Sequence, residues 1–164
     1  MKLRRLGVLL GWLALFCAAG PTAQSQETRI HGSRTCRVEQ PRAWNGGRVS
    51  WLGGCAAGYA HGLGALRQEV DGIPPNVFLG RVESGMLRTG VLVSEGGMAP
   101  VRWRSSVIAG GAGQNESGRN TLLQAFRVAA LAADHARSRA LRASDGSTAS
   151  YYTQLAGRLR NQMD

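Results

Sequence analysis

The apolar positions of this chain change their period along its length. From residue 36 to residue 108 they fall in short runs separated by glycine-bearing turn signals, the pattern of antiparallel strands. From Thr121 onward they recur at spacings of three and four, the pattern of an amphipathic helix. A first short strand is expected at 36–39, followed by a loop over 40–47 marked by Pro41 and Asn45-Gly46. One hairpin is expected over 48–66 and a second from strands 77–82 and 86–94. Between them, 68–76 reads as a loop in which Asp71-Gly72 turns the chain and Pro74-Pro75 ends any strand. After a turn at Glu95-Gly96-Gly97, residues 101–108 alternate as a single strand with Trp103 and Val107 pointing inward.

The helical half is expected to start at Thr121, which makes a capping box with Gln124, and to run to residue 143. Leu122, Phe126, Ala129, Ala133, Ala136 and Ala140 form its apolar stripe, and Arg127, Asp134, His135, Arg139 and Arg142 its other face. At 1.5 Å per residue this helix is about 35 Å long, enough to lie across a small sheet. Ser144-Asp145-Gly146 should end it, and Ser150 should cap a second helix over 151–162 with Tyr152, Leu155, Leu159 and Met163 on one side. The implied fold class is α+β: an antiparallel β-hairpin ribbon with two C-terminal α-helices packed on or beside it. The expected division is a leader at 1–25, a β-domain at 26–118 and a helical segment at 119–164.

The glycines of the first hairpin are placed at fixed offsets. Trp51, Gly53, Gly58, Gly62, Gly64 and Leu66 stand in the order aromatic-x-Gly-x(4)-Gly-x(3)-Gly-x-Gly-x-Leu. A second copy starts at Phe78, with Gly80 and Gly85 in register; Thr89 and Val91 then occupy two glycine positions, and Gly90 is off by one, as if a residue were inserted. This arrangement resembles the MORN repeat, with one clear unit at 51–66 and a degenerate one at 78–92. The resemblance implies stacked antiparallel hairpins used for association with proteins or membranes rather than for catalysis. Two such units are too few to bury a continuous core, so the helices are expected to supply the missing burial. An alignment of Trp51, Phe78 and Trp103 on one sheet face beneath the long helix would be the mark of that arrangement.

The amino end reads as a secretory signal peptide: basic Lys2, Arg4 and Arg5, an apolar run over 6–16, and small residues around 21–25 for cleavage. An uncleaved membrane anchor is the alternative, and Phe16 before Cys17 argues against lipidation there. A periplasmic or secreted location follows. The formal net charge is +10, and removing the three basic leader residues leaves +7, carried only by arginine. Such a surface attracts anions, while an exported chain with no nucleic-acid module argues against nucleic acid as a partner. Loss of Cys17 leaves Cys36 and Cys55, which in an oxidising compartment read as one disulfide.

Candidate chemistry is sparse. Gly113 to Asn120 loosely imitates a phosphate-binding loop after a strand, but Arg119 and Asn120 replace the required lysine and hydroxyl. Asn115-Glu116-Ser117 is a glycosylation sequon by pattern alone. His61 reads as a hairpin side chain, Ser84 and Ser117 lack a nucleophile context, and Glu69 and Asp71 read as solvated loop carboxylates. No cofactor or metal site is expected. The expectation is a non-enzymatic exported protein that binds a protein partner, with Arg127, Arg139 and Arg142 as a basic contact face. The alternative is a charge-driven binder of anionic lipid headgroups or cell-wall polymer.

Overall fold

A computed structural model describes residues 30–33, 36–104, 107–108 and 116–164. Residues 1–29 with Cys17, the stretch 109–115 with Gly113 and Asn115, and the side chains of Trp103 and Val107 lie outside the described residues. The strands are β1 (Ile30–Ser33), β2 (Cys36–Glu39), β3 (Arg48–Ala56), β4 (Tyr59–Val70), β5 (Ile73–Glu83), β6 (Met86–Ser94), β7 (Gly97–Arg104) and β8 (Val107–Ile108). Two helices follow, α1 (Glu116–Arg142) and α2 (Gly146–Arg160). The fold is α+β, as the periodicity requires: an open, mostly antiparallel sheet followed by two C-terminal helices.

The body of the sheet is the meander β3–β7, each strand antiparallel to the next. Two of its turns are two-residue loops whose central residues both have positive φ: Ala57 (50°) with Gly58 (79°), and Ser84 (50°) with Gly85 (81°). That is the type I′ geometry, whose twist matches the strands it joins. The turn between β4 and β5 is shorter than the expected loop, because Val70 pairs with Ile73 around Asp71-Gly72. Pro74 and Pro75 therefore do not end a strand but lie within β5. A register shift between Gln68 and Val70 sets Glu69 against the two prolines, so the missing proline N–H groups fall at an irregularity of the ladder. The expected single strand over 101–108 is also two strands. Trp103 pairs with Ile108 and Arg104 with Val107, so the chain has reversed by then.

Successive residues in a strand point to opposite faces. One face presents Ala65, Val77, Leu79, Val91 and Val93, and α1 and α2 pack there through Phe126, Ala129, Ala133, Ala136, Tyr152, Leu155 and Leu159. The alanine stripe is thus the seat of α1 on the sheet, and the burial that two hairpins lack does come from the helices. The other face presents Leu66, Phe78, Val82, Leu87 and Val101, joined by Val38 from β2 and Trp44 from the following loop. Trp51 pairs with Leu66 and Leu66 with Phe78, so Trp51 and Phe78 share a face. It is the face away from the long helix, not beneath it, because the alternation that points Ala65 and Leu79 at α1 turns their neighbours outward.

Both helix starts differ from expectation. α1 is already helical at Glu116, and Thr121 sits one turn inside with its hydroxyl donating to the Ser117 carbonyl at 2.9 Å. A threonine satisfied by the preceding turn has no role as a cap. α2 begins at Gly146, five residues before the expected start, because the cap is Asp145: its carboxylate accepts from the Thr148 N–H at 3.0 Å and the Ser147 hydroxyl at 2.8 Å. Ser144 has φ 57° and carries the reversal between the helices. Arg160 on α2 pairs with Asp134 on α1.

These hydrogen bonds hold the Asp145 carboxyl at a pKa of about 2, below its ordinary 3.8. A depressed carboxyl stabilises the fold above the unfolded value, and that contribution is lost as pH falls from 3.8 towards 2. Asp145→Asn is therefore expected to remove part of the fall in melting temperature over that window, measured by thermal unfolding at each pH.

Candidate functional site

The glycines and aromatics of the repeat converge on one structural feature. Gly53 pairs with Gly64, Gly64 with Gly80, and Gly80 with Gly90, so four adjacent strands carry glycine in one row across the sheet. In a strand, residue i and residue i+2 share a face, so Trp51 reaches Gly53 and Phe78 reaches Gly80. The Trp51 indole lies along the row and donates from Nε1 to the Gly54 carbonyl at 2.8 Å. A Cβ on Gly64 would stand 2.6 Å from Trp51 Cη2 and 2.7 Å from the Leu52 carbonyl oxygen. A Cβ on Gly80 would stand 2.5 Å from Phe78 Cζ. At Gly53, Gly64 and Gly80 an aromatic ring occupies the space of a side chain, and at Gly90 the backbone of β5 does, with the Leu79 carbonyl oxygen 2.1 Å from where a Cβ would stand.

The second unit is shorter than the first, not longer. Gly90 is the partner of Gly80 as Gly64 is of Gly53, but the separation is ten residues instead of eleven. No residue is inserted. The difference is taken up in register shifts between Gly53 and Gly54 and between Gly80 and Val82. Of the other repeat positions, Gly58 and Gly85 form the I′ turns, Gly62 has φ 87° beside the first register shift, and Leu66 is fully buried against Phe78.

The disulfide joins Cys36 to Cys55 as expected, with Cα atoms 5.6 Å apart. It ties β2 across the tips of both hairpins, where the Arg37 N–H donates to the Gly58 carbonyl at 3.0 Å and the Glu39 N–H to the Gly85 carbonyl at 2.7 Å. The Arg37 guanidinium lies over the Tyr59 ring at 4.3 Å. Burial pushes the Glu39 carboxyl upward, against the opposing pull of Arg42 and Arg88. The loop behind β2 is tied by buried Gln68, whose amide donates to the Gly46 carbonyl at 2.7 Å and accepts from Asn76 at 3.0 Å. No sequence signal marked Gln68, since a polar residue at the end of a strand reads as solvated.

Residues on a helix advance by about 100° each, which puts Arg142 about 60° from Arg127 and Arg139 about 60° further round, so the three arginines of the expected basic contact face span about 120° of α1. Arg127 and Arg142 are exposed, whereas Arg139 is half-buried. The sequence reading missed Arg137, also exposed and about 80° from Arg127 on the side away from Arg142, and two leucines that fall between these arginines, Leu131 and Leu141, at 58% and 53% exposure. None of Arg127, Arg137 and Arg142 has a carboxylate partner among the described residues. Glu69, by contrast, lies in β4 and takes both Arg48 and Arg67, the latter at 3.1 Å, with its pKa lowered chiefly by the hydrogen bond from Arg48. Arg67 also stands 5.3 Å from the Tyr151 ring, linking β4 to α2. A carboxylate held in that way is an ion-pair partner, not half of an acid–base pair.

His61 is exposed on β4 and His135 is half-buried on α1. Ser84 is a turn residue. Among the described residues no group of three or more His, Cys, Asp or Glu is placed to hold a metal ion. A shallow cleft of about 320 Å³ opens between the β6–β7 turn and the end of α2, lined by Gly97, Met98, Arg158, Asn161 and Gln162. No helix among the described residues is long and apolar enough to cross a membrane. No protein-family model, curated protein or solved structure matches the chain.

Gly64→Ala is expected to destabilise the fold by about 1–3 kcal/mol, the usual cost of forcing an extra carbon into a packed site. Gly96→Ala, where only the Ser94 hydroxyl lies within reach at 3.8 Å, should be near neutral. Urea unfolding of both variants measures the difference.

Proposed function

We propose that this chain is a non-enzymatic, exported interaction module, a MORN-like hairpin ribbon backed by two helices, that binds a protein partner through the outer face of α1. The observation that carries this reading is the mixed character of that face. Leu131 and Leu141 are more than half exposed and stand beside Arg127, Arg137 and Arg142, which lack carboxylate partners among the described residues. Arginine is enriched at protein interfaces, and the two exposed leucines give the face apolar area to bury. The exported location is supported by the disulfide, which persists in oxidising compartments. The MORN-like reading is supported by the matched glycine–aromatic packing in both hairpins.

Charge-driven attachment to anionic lipid or polymer uses the same arginines without the leucines, and the two readings separate by salt and by substitution. A partner co-purified from the exported fraction without cross-linking should stay bound at about 0.5 M salt, where exposed charges are screened beyond roughly 4–5 Å. It should be lost on Leu131→Asp. Binding to anionic vesicles that disappears between about 0.05 and 0.2 M salt, and that Leu131→Asp leaves intact, would replace the protein-partner reading with the charge-driven one.

A further inference from the structure

The strands β1 and β2 are attached to the domain in a way that differs from every other strand of the sheet. β2 meets the meander at a single parallel pair, Arg37 with Tyr59. Two of its backbone amides, those of Arg37 and Glu39, donate to the hairpin turns at Gly58 and Gly85. The rest of its hold comes from the Arg37–Tyr59 contact, from buried Val38 and from the disulfide. Downstream, the segment ends where Gln68 grips the Asn45 and Gly46 carbonyls, and Gly46 and Gly47 follow one another with φ 69° and 74°. Residues 36–44 thus form a strap, fixed at the Gln68 end and closed at the other by sulfur.

Two further features bear on what happens when the closure is broken. The bond is within reach of solvent, since Cys55 is exposed and Cys36 half-buried. The strap also covers only one of the two apolar clusters. The cluster beneath α1 and α2 contains no strap residue, whereas Val38 and Trp44 both belong to the other, with Ala60, Leu66, Phe78, Val82 and Leu87. The helix-covered side of the sheet therefore keeps its packing whatever the strap does.

We propose that Cys36–Cys55 is a reducible latch: exchange with an external dithiol releases the strap and uncovers the Val82–Leu87 side of the second cluster, while the sheet and helices stay folded. In the exchange, a thiolate of the dithiol attacks Cys55 Sγ, forms a mixed disulfide and expels Cys36 as a thiolate that takes up a proton. The second thiol of the reductant then displaces Cys55, which is protonated in turn. The reductant leaves as a disulfide, and two electrons and two protons pass to the protein.

The Arg37 and Glu39 amides are the reporters, because their acceptors are the two turn carbonyls. Segment-resolved hydrogen exchange on the full mature chain, with and without dithiothreitol, reads them directly, and alkylation mass confirms complete reduction. Protection of the peptide covering 36–44 is expected to fall on the order of 100-fold, the closure effect of a loop spanned by 19 residues. Peptides from β5 and α1 should be unchanged, and reoxidation should restore the strap. Cys36→Ser with Cys55→Ser should show the same pattern without reductant. Strap protection that survives complete reduction would overturn the proposal, as would a loss shared by β5 and α1, since the bond would then be idle or a staple of the whole domain.

Discussion

The structure depends on one contact repeated: an aromatic ring laid over a glycine two residues on along the same strand. Trp51 over Gly53 and Gly64, and Phe78 over Gly80, fill space that side chains would otherwise contest. The arrangement sets the register of the meander, because a slip of one residue would turn both rings to the helix side and bring side chains into the glycine row. It also fixes where the irregularities of the ladder fall, immediately beyond Gly53 and Gly80 in both hairpins. A sheet this rich in glycine is weak in side-chain pairing, and aromatic cover over glycine is a known way to recover it.

With the rings on one face, the other is left to small and β-branched residues, and α1 comes close because its own stripe is alanine. The helices and the strap therefore divide the burial: α1 and α2 cover one cluster, while β2 and the Trp44 loop contribute to the other. Tyr152 sits fully buried in the first, and burial raises its hydroxyl pKa. The polar groups that hold the arrangement in register are few and local. Gln68 fastens the strap loop, the Glu69 pair of arginines joins β3 to β4, and Arg160 joins α2 to α1 at Asp134.

Much of this was legible in the residues. Period two and period three-to-four separate the strands from the helices, the spaced glycines Gly58 and Gly85 fall in the hairpin turns, and Cys36 and Cys55 pair as expected. The errors share a cause. Thr121 looked like a cap and Pro74-Pro75 like a stop because each has a strong local preference, but the helix begins one turn before the one and the strand runs through the other. The face carrying Trp51 and Phe78 could not be assigned from alternation, which gives two faces but not their covers. Gln68 carried no pattern at all.

The glycine row has an end. The partner of Gly90 on the next strand is Val101, a buried residue with a branched side chain. A valine at that point ends the row, because its branched side chain fills the space that glycine leaves open on the strands before it. The glycine row is thus four strands wide, and a side chain of the sheet itself, not a helix, sets its edge.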